Sequence, residues 1–243
     1  QGLKCMFHMM NAARLAVGVQ ALGVAEIAQQ KALAFAQERR QSRAINPARR
    51  DEKQAADLII NHPDVRRMLL TVKSQIIPLR ALVAYAGIAL EKEQDALVGH
   101  LTPIVKSFCT ERGTQLVSES LQVLGGMGYT RDGEIEQYLR DVRVTMIYEG
   151  TNAIQALDLV GRKMLKDQGA TIRYLCQQMR SQANECAGFA TCLRAQADLL
   201  EECLIWLAVN GMQDQELAAA SASDFLRLVG VYFLKTILII IVI

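Results

Sequence analysis

Proline is scarce in this chain of 243 residues, with four in all, so little interrupts helix over long stretches. Neither sign of charge dominates. Against 27 Lys and Arg stand 25 Asp and Glu, and a net charge of +2 supplies no global attraction to nucleic acid. Six cysteines (Cys5, Cys109, Cys176, Cys186, Cys192 and Cys203) form no C-x-x-C pair and lie mostly among apolar residues. That pattern speaks for buried reduced thiols and a cytoplasmic protein, and against structural metal or disulfides. His8, His62 and His100 are scattered without ligand spacing, and no Ser-His-Asp or Cys-His arrangement stands out, so hydrolytic and metal chemistry lack support.

No signal peptide opens the chain, and no transmembrane span is expected. The apolar run FLRLVGVYFLKTILIIIVI is interrupted by Arg227 and Lys235, which leaves eight uncharged residues at its end. A membrane-spanning helix needs about 20, so a core helix cut short is the expectation, with peripheral membrane contact as the minority alternative. The chain begins at Gln1 in mid-pattern and without an initiator Met, as a piece of a longer protein would.

What is abundant is apolar residues, at 51%, together with the helix formers Ala, Leu, Gln, Glu and Arg. Apolar positions recur every three or four residues from Leu3 to about Arg40, the period of one long helix. The polar stretch ERRQSRAINPARRDEKQAAD reads as a loop, and a second helix opens at Pro63 and runs to about Glu93. A third is expected to start at LTP, with Thr102 as cap and Pro103 in the first turn, and to stop at Gly125 and Gly126. A short helix around EIEQYLRD, a further one over NAIQALDLVGRKML, and three more near 169–187, 188–211 and 213–243 complete the chain. The predicted fold is all-α: a four-helix up-and-down bundle over residues 1–166, then a second, partial helical domain over 167–243.

Three features could carry chemistry. In RVTMIYEGTNAIQ, Glu149 sits at the edge of an apolar run, where burying its charge costs free energy unless it has a partner or a task. Arg14 lies on a helix otherwise lined with Ala, Leu and Val, and needs an anion such as Glu149 or a ligand unless it faces solvent. The QVLGGMGY segment offers peptide N–H groups after a helix stop, although it neither follows a strand nor opens a β-α-β unit as a dinucleotide fingerprint would. The arginines of ERRQSR and ARR have no interleaved aromatics and read as a solvated loop face, which argues against nucleic-acid binding.

Taken together, MNAARLAVGVQALGVAEIAQQKALAFAQER, HPDVRRMLL and the ordered string Q-x-x-G-G-x-G-Y, R-D, I-Y-E-G-T-N resemble the C-terminal half of acyl-CoA dehydrogenases over nearly all of residues 1–165. The segment after 167 resembles, more loosely, the helical domain appended in a larger-subunit branch. The resemblance implies an FAD-dependent oxidoreductase that desaturates acyl-CoA thioesters to trans-2-enoyl-CoA in fatty-acid β-oxidation. It implies Glu149 as catalytic base, with Arg14, Tyr148 and Gly150 beside the substrate. Ala13 stands where some members carry the base instead. FAD contacts are implied for Arg39, Gln41, Gln122, Val123, Leu124, Gly125, Gly126 and Thr151, several of them toward a neighbouring subunit's cofactor. An electron-transferring flavoprotein as acceptor and a homo-dimer or tetramer complete the expectation.

Three positions and one stretch depart from the family pattern. Ser42 replaces an aromatic, Ala153 a flavin-contacting Gln and Gln137 a basic residue, while residues 43–60 form a longer stretch than in short members. The family's N-terminal helical and middle β-domains lie outside this sequence, so the alternative is a non-catalytic helical oligomerisation or partner-binding module.

Overall fold

The computed structural model describes residues 2–242, without the side chains of residues 3–5, 7, 8 and 237–242. The expected packing of the apolar tail beyond Thr236 therefore lies outside the described residues. Among the described residues eight α-helices succeed one another: α1 (Gly2–Glu38), α2 (Pro63–Glu91), α3 (Asp95–Leu124), α4 (Ile135–Val144), α5 (Asn152–Asp158), α6 (Ala170–Glu185), α7 (Ala190–Gln213) and α8 (Gln215–Val242). A single π-helical segment, Leu159–Met164, continues α5. There is no strand among the described residues; one isolated bridge joins Arg40 to Leu58. The all-α prediction holds, and a turn at 167–169 precedes α6.

The centre of the bundle is α3. Residues 100–110 of this helix are buried on every side, against α1, α2, α5 and α8. On α1 the facing residues are small: Ala21, Ala25, Ala28, Ala32 and Ala36 are all buried, at helical spacing. This alanine stripe lets α1 and α3 approach closely. At Gly18 even a Cβ would lie 2.6 Å from Cγ1 of Val105 and 3.1 Å from its carbonyl oxygen. Arg14 on α1 and Lys106 on α3 flank that closest approach, one turn from Gly18 and one residue from Val105.

The expected start of the third helix needs correction. It begins at Asp95, and the Thr102–Pro103 pair lies inside it. Thr102 does not cap; its hydroxyl donates back to the Val98 carbonyl at 2.8 Å. A proline in a helix interior loses one backbone hydrogen bond, but here the turn is enclosed by neighbouring helices, whose packing carries α3 through it. The true reversal is at Glu93, which has a positive φ of 53°, and Asp95 places its charge in the first turn, where the helix dipole favours it.

Residues 39–62 form the long loop. Its pivot is Asp57, fully buried, whose carboxylate accepts from the amides of Ala44 and Asp51 at 2.7 Å each and pairs with Arg43 at 3.4 Å. Those two peptide hydrogen bonds hold its carboxyl below the usual range.

Helix α8 returns across α2, α3 and α5, with Phe225, Leu226, Val229 and Phe233 buried and the Tyr232 hydroxyl donating to the Leu175 carbonyl. Two helices, Pro63–Glu91 and Gln215–Thr236, have the length and apolarity of a membrane span. Both have buried apolar faces, Leu69, Val72, Ile76 and Leu79 on α2 and the residues just named on α8, so core packing accounts for that apolarity.

Candidate active site

Between α4 and α5 the chain turns through Tyr148, Glu149 and Gly150. Glu149 has φ of 56° and Gly150 of 87°, two left-handed residues in succession. Glycine takes this conformation freely, whereas a glutamate does so at a cost of about 1 kcal/mol or more, so the surroundings must hold it. At Gly150 a Cβ would sit 2.9 Å from the Gln155 amide nitrogen, a second reason for glycine.

The turn directs its carbonyls inward, onto three donors. Arg14 Nε donates to the Glu149 carbonyl at 3.3 Å and Gln155 Nε2 to the same oxygen at 3.1 Å. Lys106 Nζ donates to the Gly150 carbonyl at 2.6 Å and to Asn152 Oδ1 at 3.1 Å. The Glu149 carboxylate, by contrast, has no hydrogen bond or ion pair among the described residues, and it is only half-buried. The backbone is fixed while the carboxylate is left available.

Arg14 is buried, 8% exposed, which excludes the surface reading of its sequence context. Its acidic partner is Asp158, at 3.8 Å, rather than the carboxylate of Glu149. Asp158 also forms an ion pair with Arg162 at 2.5 Å, so the last turn of α5 and the π-helical segment anchor the arginine from behind. π-Helical turns often accompany functional sites because they re-aim side chains that a regular helix would misplace. Thr151 caps α5, its hydroxyl accepting from the Ile154 amide at 3.5 Å. Tyr148, 38% exposed, reaches across to α1 and donates to Gln20.

A second feature lies at the other end of α1. A cleft of about 710 Å³ is lined by Phe35, Met68, Arg39, Gln41, Arg43 and the segment 122–127, which includes Gln122, Val123, Leu124, Gly125 and Gly126. Seven residues assigned to cofactor contact on sequence resemblance thus line one cavity; Thr151, the eighth, is at the Glu149 turn. Arg40 and Arg43 are tied to Asp51 and Asp57, while Arg39 makes no side-chain hydrogen bond or ion pair among the described residues. Gly125, with φ of 58° and ψ of −136°, adopts a conformation closed to side-chain-bearing residues, and the space beside it and Gly126 is open. The cleft combines an uncommitted guanidinium, apolar walls and a glycine turn.

Lys106, Asn152, Gln155 and Asp158 had gone unremarked in the sequence. Lys106 did leave a signal, one lysine in the apolar run LTPIVKSFC, of the same kind that drew attention to Arg14. The other three belong to an ordinary helix pattern and acquire meaning only through the turn they hold.

The profile of the acyl-CoA dehydrogenase C-terminal domain matches residues 1–165. The chain belongs to the acyl-CoA dehydrogenase family. Among its curated relatives, a 3-methylmercaptopropionyl-CoA dehydrogenase of Ruegeria pomeroyi is 39% identical over 94% of the chain and 41% of the relative. The butyryl-CoA dehydrogenase structure from Megasphaera elsdenii is 25% identical, with a TM-score of 0.55, over 66% of the chain and 38% of its own. The structure of Caenorhabditis elegans ACDH-11 in complex with C11-CoA shares the fold over 95% of the chain and 39% of its own, with a TM-score of 0.76 at 18% identity. That last match includes the helices after residue 166. The chain thus spans about two-fifths of the length of the relatives it matches.

Proposed function

We propose that this acyl-CoA dehydrogenase chain supplies the base and part of the cofactor site of an FAD-dependent enzyme that converts acyl-CoA thioesters to trans-2-enoyl-CoA. The observation that carries the reading is the Glu149 turn: a carboxylate without a protein partner, on a left-handed backbone pinned by Arg14, Gln155 and Lys106. A carboxylate held in this way has a fixed direction of approach, which general-base catalysis requires.

In this mechanism Glu149 removes a proton from the carbon next to the thioester carbonyl. Bound FAD would supply the acceptor for the hydride that leaves the β-carbon. The electron pair of the broken Cα–H bond becomes the new C=C bond, so charge and atoms balance. Tyr148 and Gly150 wall the acyl and thioester portion, and Arg14 fixes the base and the nearby substrate. The lining of the cleft supports a place for part of a dinucleotide: Arg39 would meet a phosphate, Gln41 and Gln122 would supply hydrogen bonds, and Val123, Leu124, Gly125 and Gly126 would allow close backbone approach. Thr151, at the start of α5, would meet the flavin end. The wider proposal follows the family: fatty-acid β-oxidation in the cytoplasm, an electron-transferring flavoprotein as acceptor, and a homo-dimer or tetramer. Residues 167–243 form its appended helical domain.

The test is Glu149→Gln in the full-length, flavin-loaded protein. Dehydrogenation of acyl-CoA, followed with an artificial electron acceptor, should disappear while the flavin spectrum persists. A variant turning over at near wild-type rate would remove Glu149 from the role.

A further inference from the structure

Lys106 is the most unusual charged group in the molecule. It is 0% exposed, at the middle of the most enclosed helix, and no carboxylate lies within ion-pair distance of its amine among the described residues. Burying an ammonium without a countercharge costs several kcal/mol, and a methionine would fill the same volume without that cost. What the amine does meet is oxygen: the Gly150 carbonyl at 2.6 Å and Asn152 Oδ1 at 3.1 Å. The same face of α3 adds Thr110, whose hydroxyl donates to Asn152 Oδ1 at 3.2 Å, and the Ser107 carbonyl, which accepts from Asn152 Nδ2 at 3.2 Å. Three residues of α3 therefore hold Gly150 and Asn152, one and three positions after the base.

We propose that Lys106 is a positioning residue for the base, holding the Gly150 carbonyl so that Glu149 keeps its left-handed backbone and its carboxylate its aim. The proposal rests on the reading of Glu149 as base. Arg14 and Gln155 hold the carbonyl of Glu149 itself, while Lys106 alone brings a charge to the next peptide. Without it the Gly150 carbonyl keeps only the longer Gln155 Nε2 contact at 3.4 Å, and the left-handed pair relaxes toward ordinary conformations.

The experiment uses the full-length, flavin-loaded enzyme with Lys106→Met, Lys106→Gln and Glu149→Gln beside wild type. Lys106→Met should lower kcat on the order of 10–100-fold with KM within about threefold, because the base is displaced while substrate binding is kept. The isotope effect with substrate deuterated at the α-carbon should rise, since proton removal becomes slower relative to other steps. Lys106→Gln, which retains a donor, should recover part of the loss. Amide exchange at residues 148–152 should quicken in Lys106→Met whether or not substrate is present, with α1 unchanged. An unaltered kcat and isotope effect in Lys106→Met, in an enzyme that Glu149→Gln inactivates, would overturn the proposal. So would a loss that merely follows the unfolded fraction, equal in both lysine variants. If wild type dehydrogenates and Glu149→Gln does too, the base assignment is what fails, and the Lys106 role falls with it.

Discussion

Single residues in this chain show how location changes chemistry. Desolvation, reinforced by the Arg14 guanidinium and opposed by Glu149, pushes the Lys106 amine down to about 8. In the unfolded chain the same amine holds its proton to near 10.5. Between these values the unfolded state carries the extra proton, so this group makes folding more favourable as pH rises. Cys109, driven by burial up to about 12, and Cys176, up to about 11, act in the opposite sense above pH 9, their ordinary value. The clean window is thus pH 8 to 9. Denaturant melts across it should show wild type gaining stability relative to Lys106→Met, and a constant difference would mean the amine is not buried as a titrating group. Glu149 and Arg14 were each legible in sequence as charges in apolar company. Their actual relation was not: Arg14 pairs with Asp158 and touches the backbone of Glu149, because the left-handed turn reverses which part of the glutamate faces inward.

At the scale of elements, periodicity located the helices to within a few residues, because each has an apolar face that the bundle buries. It failed at the start of α3. Thr-Pro is a strong local signal for a helix N-terminus, and only the enclosure of residues 100–110 by other helices shows why the helix begins earlier. The π-helical segment was equally invisible; it follows directly on Asp158, whose carboxylate pairs with Arg14 of α1 and with Arg162. The contact of α1 with α3 can be tested directly through two glycines of α1. Gly18→Ala must push a Cβ toward Val105, whereas the space around Gly23 is open. Overpacking typically costs 1–3 kcal/mol, so Gly18→Ala should lower Tm by roughly 2–12 °C. Gly23→Ala should raise stability slightly, by up to about 1 kcal/mol of helix propensity, and Tm with it. Because Gly18 lies between Arg14 and the Lys106 region, only the first variant should also reduce kcat. Equal behaviour of the two would show that α1 and α3 are not held at contact distance there.

Over the whole molecule, the two features stand far apart. Phe35 of the cleft lies 21 residues beyond Arg14 on the same helix, a rise of about 31 Å at 1.5 Å per residue. A cofactor whose reactive ring reaches Glu149 from one side of the bundle would have to follow most of α1 to place its other end in the cleft of the same chain. In the proposed homo-dimer a second copy, related by two-fold symmetry, would bring its own cleft near instead, and each active site would be a product of two chains. Two defects in different chains should then complement. Glu149→Gln and Arg39→Glu are each expected to be inactive alone in the full-length protein, the second through lost FAD. Co-expressed and purified as mixed dimers, they should regain about a quarter of wild-type activity, since half the dimers are hybrids and each hybrid has one intact site. If base and cleft of the same chain served one flavin, every site in the mixture would carry one defect, and no activity would return.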